Sequence, residues 1–186
     1  MRHATTGSRL PFSLAQARPL LARTPAIVDR WLRGLPDAWL RANEGDDSWS
    51  AFDVVGHYIH GERTDWIPRL ARILEHGTAV AFDPFDRFAQ FEASAERGLD
   101  ELLDEFARLR AESLAALDAF ALDESALDRR GRHPALGEVT VRQLLATWVA
   151  HDQDHLMQIA RVLAHQYAEE VGPWRQYLRV ISGRPG

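Results

Sequence analysis

Apolar residues recur every three to four positions along most of this chain, which is the spacing of amphipathic helices. The first such stretch reads as two short helices. One is capped by Ser13 and runs to Leu21, and the other has Thr24 as N-cap with Pro25 at its first helical position. Gly34 ends the second piece. The pattern therefore predicts a helical N-terminal region in two separate parts.

A long second helix is predicted from Ser50 to Gly77. Ser50 is its N-cap, and Asp53 at the third helical position makes a weak capping box. Pro68 lies inside the helix and predicts a kink or break near Thr64. The apolar stripe of this helix consists of Phe52, Val55, Ile59, Trp66, Leu70 and Ile73.

Two further helices follow. After a loop over residues 78–87, the third runs from about residue 88 to 120, and a second loop spans residues 123–138 with no strand pattern. Thr140 and Gln143 form a good capping box for the fourth helix, Val141 to about Ala168. A short amphipathic segment from Trp174 to Ile181 comes after the helix-breaking Gly172–Pro173 pair. We expect an all-α four-helix bundle with a short C-terminal helical extension.

Length and composition agree with this expectation and reduce the number of possible functional classes. The 186 residues suit one domain, 1–186, with its core at about 12–182. A net charge of -5 gives no indication of a nucleic-acid partner, and no apolar segment approaches the roughly 20 residues that span a membrane. The first eight residues contain no apolar run and are no signal peptide. We expect a cytoplasmic protein.

Two residue types are missing, and their absence excludes several chemistries. The chain contains no cysteine, so disulfides, thiolate ligands and a cysteine nucleophile are excluded. Its basic residues are all arginine, which excludes a lysine Schiff base.

The fourth helix carries the most informative motif, His151-Asp152-Gln153-Asp154-His155. Residues four apart lie one above the other on a helix, so both imidazoles can converge on one ion. His155 falls inside the apolar stripe and His151 at its edge. Two buried histidines that merely hydrogen-bond to neighbours remain the alternative. A metal site needs a third ligand.

His57 and His60 on the second helix are the two options for that ligand. His57 lies nearly opposite the centre of the helix's apolar stripe, whereas His60 lies nearer its edge. Amphipathicity alone therefore favours His60.

The spacing of these residues resembles that of the DinB-like superfamily of metal-binding four-helix bundles. The residues that carry the resemblance are Trp49, Ser50, His57, Glu62, His151, Asp152, His155 and Gln158. The resemblance covers about residues 20–178 and implies that His57, His151 and His155 bind one divalent ion, zinc or nickel. It favours His57 over His60, because His57 follows Trp49 by eight residues, and it implies a homodimer.

Three imidazoles leave a coordination position open, as in catalytic rather than structural sites. The resemblance implies a metal-dependent enzyme acting on a small molecule, of the S-transferase or isomerase type that uses a mycothiol- or bacillithiol-like thiol cosubstrate. Arg63, Arg69 and Arg132 are candidates for holding such an anionic thiol.

Two other functions remain open. One is metal-dependent hydrolysis, with Glu62 or Asp152 as general base. In that case His151-Asp152-x-x-His155 superficially resembles the zincin motif, with aspartate in place of glutamate. The other is a bundle without catalytic activity, whose metal is structural or whose pocket only binds a ligand.

Overall fold

The computed structural model describes residues 10–45 and 48–182. The first nine residues, where no signal peptide is predicted, lie outside these ranges. In chain order the elements are α1 (Leu14–Leu32), α2 (Asp37–Leu40), α3 (Ala51–Thr64), α4 (Trp66–His76), α5 (Ala89–Ser94), α6 (Leu99–Ala119), α7 (Glu124–Leu127), β1 (Arg130–His133), β2 (Gly137–Thr140), α8 (Val141–His165), a 3-10 helix (Gly172–Tyr177) and α9 (Arg179–Ser182). Four helical arms, α1, α3–α4, α6 and α8, pack around a shared core, and the predicted four-helix bundle is confirmed.

The first arm is one continuous helix, so the prediction of two short helices is wrong. Pro25 lies inside α1 and supplies no N–H to the carbonyl of Leu21, four residues earlier. That carbonyl accepts a hydrogen bond from Arg110 Nη1 instead, at 2.8 Å. Thr24 is not an N-cap, because its buried hydroxyl donates to Asp152 Oδ2 at 2.6 Å. Tertiary partners thus replace the missing helical bond.

The second arm follows its local signals closely. Ser50 and Asp53 form the predicted capping box, and the helix breaks at Asp65, next to the predicted position at Thr64. Gly77 ends α4 with a positive φ of 58°, which glycine adopts at little cost.

The third arm is shorter than predicted. Residues 88–120 do not form one helix but divide into α5 and α6, because Gly98 adopts an extended conformation as the N-cap of α6. Glycine is a weak helix former, so a break there costs little helical stability. The fourth arm begins at the predicted Thr140–Gln143 capping box and ends at His165, three residues before the predicted end.

A two-stranded antiparallel hairpin occupies part of the segment predicted as loop, which corrects the expectation that no strands occur. Arg130 pairs with Thr140 and His133 with Gly137. The hairpin lies against α4 at Gly131, where an added Cβ would meet Ile73 Cγ1 at 2.5 Å. The backbone N–H of Phe82 donates to Arg132 O at 2.9 Å and fixes the edge of β1 that does not pair with β2. The hairpin is therefore held at one end of the bundle.

The core consists of two apolar clusters, one with Tyr58 stacked on Phe106 and the other with Trp66 stacked on Trp148. Within the described ranges, no helix combines the length and the apolar character that crossing a membrane requires.

Candidate metal centre

Three histidines from two arms of the bundle meet at one point. His57 comes from α3, and His151 and His155 come from α8. The Nε2 atoms of His57 and His151 are 3.0 Å apart, and those of His155 and His151 are 3.1 Å apart. The structure thus brings together the three histidines that the sequence proposes as metal ligands.

The outer nitrogens of two of these rings have amide partners. His57 Nδ1 lies 3.4 Å from Gln90 Oε1, and His155 Nδ1 lies 2.7 Å from Gln158 Oε1. An amide oxygen only accepts, so each Nδ1 carries the proton and each Nε2 presents a lone pair to the centre. His151 Nδ1 is buried and has no hydrogen-bond partner among the described residues.

This donor set fits a divalent ion. Two lone pairs, from His57 and His155, both point at His151 Nε2, which can carry at most one proton. One close nitrogen–nitrogen contact is therefore left without a hydrogen. A cation among the three Nε2 atoms would satisfy every lone pair at once, and neutral imidazole is the form that binds zinc and nickel.

Burial keeps these imidazoles neutral. It lowers the pKa of His57 to about 4, with a further decrease from His155. Burial and the neighbouring histidines lower the pKa of His151 still further. Burial also lowers the pKa of His155, although Gln158 and nearby aspartates oppose the decrease. The site therefore offers three unprotonated ligands at neutral pH.

His60 lies outside this cluster. It is half-buried and contacts Phe85, with ring centroids 4.8 Å apart. The apolar stripe favoured His60 because the periodicity argument assumes that a helix has one buried face. In α3, however, ten of the fourteen residues are buried. The back of α3 is covered by α5, which approaches closely where Gly56 meets Ser94. That approach also brings Gln90 to His57.

A cavity of about 580 Å³ opens directly onto the three histidines. Besides the histidines, its walls contain Ser48, Trp49, Asp65, Arg69, Phe85, Arg87, His133, Gln158 and Arg161. Of the arginines proposed to hold an anion, Arg69 lines this cavity. Arg63 instead pairs with Glu105, and Arg132 is exposed on the hairpin and is not among the lining residues. A small molecule can therefore reach the histidines from solvent.

The sequence profile of the DinB superfamily matches residues 20–159, which include most of the four bundle arms and all three histidines. The chain belongs to the DinB superfamily. A solved structure with the same fold is that of YfiT from Bacillus subtilis, described as a probable metal-dependent hydrolase with an unusual four-helix bundle topology. The two chains share 22% sequence identity over 86% of this chain and 92% of YfiT, with a TM-score of 0.73. No curated protein sequence matches the chain.

In this DinB-superfamily chain, Glu62 and Asp152 do not face the cavity. Both bind the guanidinium of Arg110: Asp152 Oδ2 at 2.6 Å from Nη1, and Glu62 Oε1 at 2.7 Å from Nη2. The two carboxylates are essentially inaccessible, with side chains 0% and 1% exposed. Burial raises the pKa of Glu62, and Arg110 opposes that increase. These contacts favour a structural role over the predicted role as general bases.

Asp65 is the acidic residue that lines the cavity within residues 10–45 and 48–182, and motif reasoning did not single it out. It lies at the break between α3 and α4 and pairs with Arg69 one turn later. Its side chain is 13% exposed, in contrast to the closed Glu62 and Asp152. Burial raises the pKa of Asp65, and Arg69 opposes the increase. The only sequence signal for this residue was the helix break itself.

Proposed function

We propose that this member of the DinB superfamily is a metal-dependent enzyme whose ligands are His57, His151 and His155, with zinc or nickel as the ion. The observation that carries the proposal is the convergence of three Nε2 atoms while Gln90 and Gln158 hold outer nitrogens. A divalent ion bound there supplies Lewis-acid activation of water or of a thiol. The adjoining cavity suits a small-molecule substrate.

Hydrolysis is the reaction that we favour, with Asp65 as the proton acceptor. Asp65 lines the same cavity as the three histidines and keeps access to it. Its raised pKa brings it closer to the range in which a carboxylate accepts a proton from water and returns it to a leaving group. Arg69 holds the carboxylate in place.

Thiol-dependent transfer is the second candidate, because three arginines line the cavity of a chain without cysteine. Arg69, Arg87 and Arg161 are all among the lining residues. Arg69 and Arg161 pair with carboxylates, so Arg87 is the cationic partner that a low-molecular-weight thiol with anionic groups would find there. Such a thiol would supply the sulfur that the chain lacks.

Metal content tests the site. Protein purified without chelators or an affinity metal column is measured by mass spectrometry, together with His57→Ala, His155→Ala and the matched control His60→Ala. We expect about one zinc or nickel ion per chain, lost in the first two variants and kept in the control. Loss only in His60→Ala would contradict the ligand assignment.

Activity separates the two reactions. The metal-loaded protein is incubated with a panel of esters and amides, and with electrophiles in the presence and absence of mycothiol or bacillithiol. Hydrolysis without thiol that falls by about 10²-fold or more in Asp65→Asn supports the hydrolase. Product formed only when thiol is added supports the transferase. A bound ion with neither reaction supports a bundle without catalytic activity.

A further inference from the structure

We propose that His133, at the tip of the β1–β2 hairpin, is a substrate-binding residue that donates its Nε2–H to an oxygen of an anionic substrate. The inference deepens the proposed function and rests on it for the use of this cavity as a substrate site. Three features of the structure support it: a fixed tautomer, a fixed position and an excess of positive charge among the described residues nearby.

The hairpin turn fixes the tautomer of His133. The backbone N–H groups of Ala135 and Leu136 both donate to His133 Nδ1, at 3.1 and 3.2 Å. A ring nitrogen that accepts these bonds carries no proton, so in the neutral ring the proton sits on Nε2. Protonation of Nδ1 would break both bonds, and burial further lowers the pKa of this imidazole. His133 is therefore a neutral donor at Nε2.

The hairpin also fixes the position of that donor. His133 lines the same cavity as the three clustered histidines, and its ring contacts the edge of Phe82 at a centroid distance of 6.0 Å. Gly131 lets the strand lie directly on Ile73, and Arg132 O is held by the N–H of Phe82. The strand that carries His133 packs directly against helix α4, so its position is fixed by the bundle.

The charges of the described residues around the cavity favour an anion. Asp65 pairs with Arg69, and Glu44 pairs with Arg161, so these groups balance each other. Arg87 has no carboxylate partner in the ranges 10–45 and 48–182, and its guanidinium lies over Trp49 at 5.7 Å. A cation at the histidines would add further positive charge. An oxyanion, either a carboxylate or a phosphoryl group, complements this cavity.

Two substitutions separate substrate binding from a role in shaping the turn. His133→Asn keeps an acceptor, since the Asn Oδ1 takes the place of Nδ1 for the two backbone N–H groups. Its shorter amide does not reach the position of Nε2, so the proposed donor is lost. His133→Ala removes both. His76→Asn is the matched control, because His76 ends α4 and is not among the residues that line the cavity.

The probes are acetate and inorganic phosphate, titrated into metal-free and stoichiometrically zinc-loaded protein by calorimetry. Long-range proton–nitrogen NMR spectra report the His133 tautomer directly. We expect the Nε2–H tautomer and anion binding that is about tenfold weaker in His133→Asn, with an unchanged melting temperature. His76→Asn should bind like the wild type. Tighter binding of phosphate assigns a phosphoryl substrate, and tighter binding of acetate assigns a carboxylate.

Three results would overturn the proposal: a proton on Nδ1, equal anion affinity in wild type and His133→Asn, or no binding of either anion by the wild type. If the second result is accompanied by a loss of affinity in His133→Ala, His133 is assigned to the turn. Failure of the chain to bind zinc or nickel would refute the proposed function separately. In that case the tautomer and the metal-free titrations still decide the role of His133.

Discussion

Replacing Arg110 with methionine should lower the free energy of unfolding by about 3–5 kcal/mol. The guanidinium is buried on α6 and makes four hydrogen bonds, one to Glu62 Oε1, two to Asp152 and one to Leu21 O. A second close ion contact, from Nη2, completes the pair with Glu62. Methionine has a similar shape but no charge. The substitution would leave two carboxylates and one carbonyl in the core without their donor.

The magnitude follows from what remains unpaired. A buried carboxylate that loses its cation typically costs 3–5 kcal/mol, and the orphaned Leu21 carbonyl adds a smaller penalty of about 1–3 kcal/mol. Protonation of Glu62, whose pKa is already raised by burial, relieves part of this cost. Because domains of this size unfold with about 5–15 kcal/mol, the loss is a large fraction of the total stability.

The assay is urea unfolding of metal-free protein, followed by far-UV circular dichroism. Arg18→Met is the matched control, since Arg18 also binds an aspartate, Asp118, from α1 to α6 but on the surface. We expect little change in the control. Adding Glu62→Gln and Asp152→Asn to Arg110→Met should recover stability, because neutral amides do not need a buried cation.

A loss below about 1 kcal/mol in Arg110→Met, similar to that of a surface pair, would refute the reasoning. So would a triple variant that is less stable than Arg110→Met. Either result would mean that desolvated charge does not control the energetics of this cluster.

Three other measurements test the site and its supports. Folding lowers the pKa of His57 from about 6.5 to about 4, so the folded state binds fewer protons than the unfolded state in this range. The free energy of unfolding of metal-free protein should therefore fall as the pH decreases from 6.5 to 4, by about 2 kcal/mol at pH 5 from this residue. In His57→Gln, the free energy of unfolding should depend less steeply on pH across that range. Gln158→Ala should weaken zinc binding about 10–100-fold by calorimetry, unlike exposed Gln153→Ala, and equal affinities would contradict the orienting role of Gln158. Gly131→Ala should cost about 1–3 kcal/mol in urea unfolding, because its Cβ meets Ile73, and an unchanged midpoint would contradict the close packing.

Much of the bundle could be predicted from the sequence because its signals are local. Capping boxes act within three residues, and both, at Ser50 and Thr140, occur where predicted. The break near Thr64 follows from Pro68. The proximity of His151 and His155 follows from helix geometry alone.

The remaining features depend on partners that are distant in sequence. Nothing local shows that Gln90 reaches His57 across 33 positions, or that α1 continues through Pro25 because Arg110 satisfies a carbonyl 89 positions away. The hairpin strands are only four residues long and follow no apolar alternation. Choosing His57 over His60 required the family resemblance, because periodicity favoured the other residue.

The contacts of Arg110 also bear on which packing of the bundle is allowed. From α6, its guanidinium binds Leu21 of α1, Glu62 of α3 and Asp152 of α8, so a single side chain links its own arm to the other three. Sliding any one arm by a helical turn, about 5.4 Å, would remove an acceptor and leave charge unpaired in the core. Apolar side chains tolerate such a shift better than a planar guanidinium does, because its donors point in fixed directions. Arg110 therefore fixes the register of the four arms. This includes the alignment of α3 with α8 that brings the histidines together.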